Sequence, residues 1–214
     1  MEQLAFDKTI KLLEKYKLPY SKSKLASSLE RAAKFAKEIG FPVALKVISK
    51  DIVHKSEANG VKTNLNNEEE VVAAYGEILK SSKKKFPRAK IDGILVQRME
   101  QGIEVIIGMN RDPQFDAVIM FGLGGVFVEV LKDVSFRIAP IDKKEAEGMI
   151  KEIRSKKILE GARGRKPVNI SALADMLVNI SKLSENKKIL EIDLNPVVVD
   201  DKSARVVDVR MMIE

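Results

Sequence analysis

The chain has 214 residues, 45% hydrophobic and 32% charged, with 38 Lys+Arg against 31 Asp+Glu and a formal net charge of +7. That balance excludes disorder, collagen and low-complexity character for the chain as a whole. The absence of cysteine excludes a disulfide framework and any thiolate ligand or nucleophile, and a single histidine excludes a site built on two imidazoles.

Residues Phe6 to Tyr16 place Phe6, Ile10, Leu13 and Tyr16 at helical spacing. Ser23 to Ile39 reads as a second amphipathic helix, with Gly40 as its C-cap. Pro42 to Ile48 is a β run, followed by the polar stretch Ser49 to Gly60, which ends in the turn signal Asn59-Gly60. Val61 to Leu65 returns as a strand. Asn66 or Asn67 then caps a helix opening with Glu68, Glu69 and Glu70, where the helix dipole favours anions. Ile91 to Met99 and Glu104 to Met109 read as strands, with a turn at Arg111-Asp112-Pro113, and Phe115 to Phe121 as the next strand. After the glycine cluster Gly122-Leu123-Gly124-Gly125, the runs Val126 to Leu131 and Val134 to Ala139 also read as β. Asp142 to Ile153 and Asn169 to Leu183 read as helices, and Ile189 to Leu194, Val197 to Val199 and Ala204 to Val209 as closing strands.

Strands that arrive in neighbouring groups, instead of alternating with helices, predict an α+β fold with largely antiparallel sheets. The expected division lies near residues 90 to 97, giving lobes of residues 1–93 and 94–214. The N-terminus is charged from Glu2 and lacks a signal-peptide apolar region, and no apolar run spans a bilayer, so a soluble cytoplasmic protein with no membrane partner is expected. The positive charge would suit a polyanion. However, the charges are interspersed and the chain holds 5% aromatics and no tryptophan, which argues against nucleic acid as a partner.

Four places carry candidate chemistry. Lys46 sits within the apolar run Val43 to Ile48 and shares a strand face with Ala44 and Ile48. It either reaches an open sheet face or meets an anion, because an unpaired buried ammonium is costly. His54 is the sole imidazole, in a polar loop beside Lys55 and Ser56. It is either an ordinary loop residue or a group that meets or carries a phosphoryl group. Gly122 to Gly125 either bends the chain or lets backbone N–H groups approach a phosphate, and neither a Walker A nor a Gly-x-Gly-x-x-Gly pattern is present. Asp193 and Asn195 share a strand face, and Asp208 lies on the returning strand. Such oxygen donors suit Mg²⁺, although carboxylates at a strand end also occur as plain solvated surface.

The order and spacing of several segments carry further information. They are Gly40-Phe41-Pro42-Val43-Ala44-Leu45-Lys46, His54-Lys55-Ser56 with Gly60-Val61-Lys62, and Ile94 to Met99. Gly102 to Gly108, Arg111-Asp112-Pro113-Gln114-Phe115 and Phe121 to Gly125 continue them, and Glu129 to Asp133, Phe136-Arg137 and Glu191 to Pro196 complete them. Together they resemble the ATP-grasp nucleotide-binding domain, most closely that of the β subunit of ADP-forming acetyl-CoA (acyl-CoA) synthetases, relatives of succinyl-CoA synthetase.

The resemblance implies an ATP-grasp fold, two lobes with antiparallel sheets and a nucleotide cleft between them. It implies that Lys46 holds nucleotide phosphates, that Gln97, Arg98 and Met99 form the hinge pairing with adenine, and that Glu104 lies near the ribose. Asn195 and Asp208, with Asp193 beside them, would hold Mg²⁺, and Glu129 and Arg137 would line the phosphate end. His54 matches the family's second histidine and would carry a phosphoryl group to the nucleotide. The glycine-rich covering loop common in the family is replaced here by His54 to Gly60, which speaks against the usual lid role and for a chemical one. The implied reaction is acyl-CoA + ADP + phosphate ⇌ carboxylic acid + CoA + ATP, a ligase relay through phosphohistidine. The implied partner is an α subunit bearing the CoA-binding domain and a second phosphohistidine. Another ATP-grasp ligase or dikinase-like domain, and a non-catalytic nucleotide-binding module, are the competing readings.

Overall fold

The computed structural model describes residues 1–52, 55, 58–125, 128, 130–161, 164 and 166–214. In chain order the elements are β1 (Glu2–Gln3), α1 (Phe6–Lys15), β2 (Ser23–Ala26), α2 (Leu29–Ile39), β3 (Val43–Ile48), β4 (Val61–Leu65), α3 (Glu68–Lys85) and β5 (Gly93–Arg98). They continue with β6 (Ile103–Asp112), β7 (Asp116–Leu123), β8 (Val134–Ile138), α4 (Lys143–Glu152), a 3₁₀ turn (Arg154–Ile158), α5 (Ile170–Leu183), β9 (Ile189–Val199), β10 (Ala204–Val206) and β11 (Val209–Ile213). Every pairing between these strands is antiparallel.

The chain forms two compact units, Ser21–Met99 and Met1–Tyr20 with Glu100–Glu214. The division differs from the sequence reading at both ends. The first residues join the later unit because β1 pairs with β11, the Leu4 N–H donates to Met211 O at 2.9 Å and the Val206 N–H donates to Pro19 O at 2.8 Å. All of β5 belongs to the earlier unit because it pairs with both β2 and β3.

The Ser21–Met99 unit is a four-stranded sheet in the order β2-β5-β3-β4. Leu45, Val47, Ile94 and Val96 point to one face, where they pack with Ala32, Ala36, Val71 and Ile78 of α2 and α3. Ala44, Lys46, Ile48, Leu95 and Gln97 alternate onto the other face and are also buried. The expected helix from Ser23 to Ile39 is instead a strand followed by a helix. Ser23 to Ala26 pair with Gln97 to Ile94, and the chain enters α2 only at Ser28, whose side chain accepts the Arg31 N–H. A strand partner far along the chain overrides the local helical pattern. Asn67 caps α3 by accepting the Glu70 N–H, as the Glu-rich start suggests.

The larger unit is a seven-stranded sheet in the order β1-β11-β9-β6-β7-β8, with β10 also on β9. Val105, Ile107, Ile119, Phe121, Ile192 and Leu194 form one face, packed with Met149 and Ile150 of α4, Leu173, Leu177 and Ile180 of α5, and Leu13 of α1. A capping box between Asp142 and Glu145 starts α4. The β6–β7 turn is held by Asp112, whose carboxylate accepts the Gln114 and Phe115 N–H groups at 2.7 and 3.0 Å. Ile189 to Val199 is one strand instead of two, and the last expected strand divides into β10 and β11 around Asp208.

The expected strand Val126 to Leu131 is not found at the described residues there. Gly125 turns at φ +62°, its carbonyl accepts the Val128 N–H at 3.1 Å, and Val130 and Leu131 lie exposed. A positive φ of this kind is one that glycine adopts without strain. Among the described residues, no helix is long and apolar enough to cross a membrane.

Candidate functional site

Strand alternation puts Glu104, Ile106, Gly108 and Asn110 of β6, and Glu191, Asp193 and Asn195 of β9, on the face of the larger sheet away from its helices. Asp193 stands opposite Gly108 on β6 and opposite Arg210 on β11. Gly108 in turn faces Met120, and Met120 faces Phe136. These residues floor a depression of about 400 Å³ whose wall includes Ile106, Val118, Glu191 and Asp193.

Asn195 and Asp208 are joined through their backbones. The Asn195 N–H donates to Asp208 O at 3.2 Å, and the Asp208 N–H donates to Pro196 O at 3.3 Å. Burial pushes the Asp193 carboxyl above the usual carboxylate range. The Arg210 guanidinium pulls it back, while Glu191 and Asp208 add to the rise. Asp193 and Asn195 thus share a strand face, and Asp208, just before β11, is bonded to the Asn195 backbone and acts electrostatically on Asp193.

The donor set is two carboxylates and an amide, all hard oxygen donors. No group of three or more His, Cys, Asp or Glu able to hold a metal occurs among the described residues. Oxygen donors of this kind suit an ion such as Mg²⁺, which keeps part of its shell for water and phosphate oxygens.

Glu104 is exposed at the start of β6, and its carbonyl accepts the Gly124 N–H at 2.9 Å. The first part of the glycine cluster therefore serves the sheet. A Cβ at Gly124 would stand 3.3 Å from the Glu104 Cβ and backbone O, so glycine lets the loop lie close to this strand.

Lys46 is 7% exposed in the middle of β3, with Val61 on one side and Leu95 on the other. Its face also carries Gln97, fully buried, one register step along β5 opposite Ala44. Arg98 donates its N–H to Lys22 O at 2.9 Å and accepts at its carbonyl from Ser21 Oγ at 3.1 Å, and Met99 donates to Pro42 O at 3.2 Å. The N–H groups of the expected hinge are thus engaged within their own unit, so Arg98 and Met99 do not offer these donors freely to a base.

Arg137 does not join the candidate site. It pairs across from Ile119, which points into the core, and its guanidinium donates to Glu152 of α4 at 2.8 Å and to Phe136 O at 2.7 Å. Its neighbour Phe136 occupies the site face in its place. Arg137 stands in a segment of the family resemblance, but strand alternation decides its face. His54 and Glu129 lie outside the described residues.

Two residues of the face were missed by sequence reasoning. Glu191 lies two before Asp193 on one strand, a signal that was available. Arg210 becomes a neighbour only through the β9–β11 register.

A family model described as the ATP-grasp domain matches residues 2–213. The chain belongs to the ATP-grasp domain family. It is 50% identical over 204 residues to the beta subunit of an ADP-forming acetate–CoA ligase I from Pyrococcus furiosus, covering 94% of this chain and 88% of the relative. Its fold is similar to that of a dinucleotide-forming acetyl-coenzyme A synthetase 1 from Candidatus Korarchaeum cryptofilum, solved with coenzyme A, Ca-AMPCP and HgCl⁺. That match has a TM-score of 0.95 and 47% identity, covering 100% of this chain and 94% of the other. A second structure of the Korarchaeum enzyme, with coenzyme A and Mg-AMPPCP, has its phosphohistidine segment pointing towards the nucleotide binding site. It matches at a TM-score of 0.85 and 44% identity, over 100% of this chain and 93% of that one. ATP-grasp architecture, in an α+β fold with antiparallel sheets, is therefore the fold of this chain.

Proposed function

We propose that the chain is the nucleotide-binding β subunit of an ADP-forming acyl-CoA synthetase. It would couple phosphoryl transfer between ADP/ATP and phosphohistidine to the interconversion of acyl-CoA and a free acid. The observation that carries this reading is the 50% identity to a ligase beta subunit along nearly the whole of both chains. The backbone link of Asp208 to Asn195 and its electrostatic effect on Asp193 support it from geometry.

In this reading Lys46 binds nucleotide phosphates, and a desolvated ammonium on a rigid central strand suits that task. Gln97, Arg98 and Met99 border the base, and Glu104 serves the ribose. Asp193, Asn195 and Asp208 hold Mg²⁺, which when bound would neutralise phosphate charge. Arg137 has no part in it, because its guanidinium is committed to α4. Glu129 and His54 enter on sequence alone. His54 accepts the phosphoryl group at an imidazole nitrogen and returns it to ADP, with Lys55 beside it to favour the incoming anion. The partner is an α subunit that supplies the CoA-binding domain and its own phosphohistidine, and the P. furiosus relative's name as a subunit supports this. The setting is the cytoplasm, where ATP, CoA and the free acid are available.

Calorimetry of MgADP binding tests the reading. Lys46→Ala should weaken binding by about 1.5–3 kcal/mol, roughly ten- to 150-fold in Kd. Acetate, CoA and ATP should turn over only after an α subunit is added. Labelled ATP should leave an acid-labile, alkali-stable label that ADP removes and that His54→Asn lacks. Unchanged ADP affinity in Lys46→Ala overturns the nucleotide assignment, and normal turnover by His54→Asn overturns the relay.

A further inference from the structure

Two charged groups near Asp193, Arg210 and Glu191, have no role in the reading above. Arg210 stands across the β9–β11 ladder from Asp193 and two residues after Asp208. Its Nη2 donates to Glu191, itself one pleat from Asp193 on the same face. The Arg210 side chain is 38% exposed and that of Glu191 29%, and the Arg210 Nε is buried with no hydrogen-bond partner among the described residues. Glu191 therefore fixes the guanidinium beside Asp193, with part of the side chain still open to solvent. Glu191 and Asp193 line the depression, and Arg210 and Asp208 act electrostatically on Asp193.

Bare carboxylates attract any divalent cation. A guanidinium held among them repels a free cation and attracts the oxygens of a phosphate chain. We propose that Arg210, anchored by Glu191, is a specificity-determining residue that makes this site favour a divalent cation carried by a nucleotide polyphosphate over the bare cation. The proposal rests on the metal-and-nucleotide reading of the same face. It adds that the charge balance is set from β11, by a residue outside the donor set. Glu191 is then a positioning residue that acts through Arg210.

The experiment uses the full chain and two probes, Mn²⁺ alone followed by water-proton relaxation and MgADP followed by calorimetry. Mn²⁺ is a hard cation suited to the same oxygen donors. Arg210→Gln should bind Mn²⁺ about three- to tenfold more tightly, the effect of removing one partly exposed charge a few ångströms away, and MgADP about tenfold more weakly. Arg210→Lys, which keeps the charge, should restore Mn²⁺ affinity to near wild type and recover MgADP in part. A merely structural role would lower both affinities together. That result, or two unchanged affinities, or no measurable Mn²⁺ binding by Arg210→Gln, overturns the proposal. Asp193→Asn is run in parallel. Undiminished MgADP binding by that variant overturns the underlying reading, whereas lost binding there combined with an inert Arg210→Gln overturns the Arg210 proposal alone.

Discussion

Asp133 joins the loop after the glycine cluster to the helical layer, and its removal gives a demanding test of the structure. The residue is 8% exposed. Its carboxylate accepts the Arg154 and Ser155 N–H groups, both at 2.8 Å, and the Ser155 hydroxyl. It therefore caps the 3₁₀ turn Arg154–Ile158 from across the fold. Each hydrogen bond to a charged group is worth about 1.5–3 kcal/mol, and three that share one carboxylate are not additive. Asp133→Ala should cost about 2–4 kcal/mol, which for a chain of this size lowers Tm by about 5–12 °C. Burial opposes ionisation of Asp133, but the Ser155 hydroxyl and the two N–H groups outweigh it, so its pKa lies below the ordinary carboxylate range. A depressed carboxyl contributes stability that is fully present above the unfolded pKa and is lost as pH falls through the folded one. The Tm gap between wild type and Asp133→Ala should thus be constant near neutrality and close only in acid, below about pH 4. Thermal melts followed by circular dichroism from pH 3 to pH 7 read both quantities. A gap of under 1 °C at pH 7, or one that widens in acid, would refute the capping argument.

Asp193→Asn should abolish most MgADP affinity in calorimetry. It should also raise the Tm of the ligand-free chain at pH 7, because burial raises this carboxyl's pKa and its stabilising share is lost as pH rises. A lower Tm would show that Asp193 is held by contacts other than those described. Arg111 donates to Ile189 O at 2.8 Å, Ser184 O at 2.5 Å and Asn186 O at 3.1 Å, and pairs with Asp116, all with a side chain only 14% exposed. Arg111→Met should therefore cost about 2–4 kcal/mol in urea unfolding, with no effect on MgADP affinity in the variant that remains folded. A Cβ at Gly102 would lie 2.3 Å from Val199 O, so Gly102→Ala should destabilise by about 1–3 kcal/mol, and an unchanged unfolding midpoint would contradict that packing.

Much of the site was legible in the sequence because strand alternation is local. The two-residue period put Asp193 and Asn195 on one face, and it placed Lys46 with Ala44 and Ile48, as the structure has them. Helix starts were equally readable, since Asn67, Asp142 and Asn169 act on N–H groups three residues ahead. The motif order identified the family. Reading failed where a distant partner decided the outcome. Ser23 to Ala26 has helical spacing but becomes a strand because β5 supplies a ladder. The first twenty residues join the later unit because β11 and Val206 receive them. Arg137 sits in a family motif, yet its alternation with Phe136 turns it onto α4 and away from Asp193. Arg210 has no local signal linking it to Asp193, and only the β9–β11 register makes them neighbours. The physical reason is the same in each case. Period and capping are set by residues a few positions apart, whereas register and the choice of face come from cross-strand hydrogen bonds and buried apolar area contributed from far along the chain.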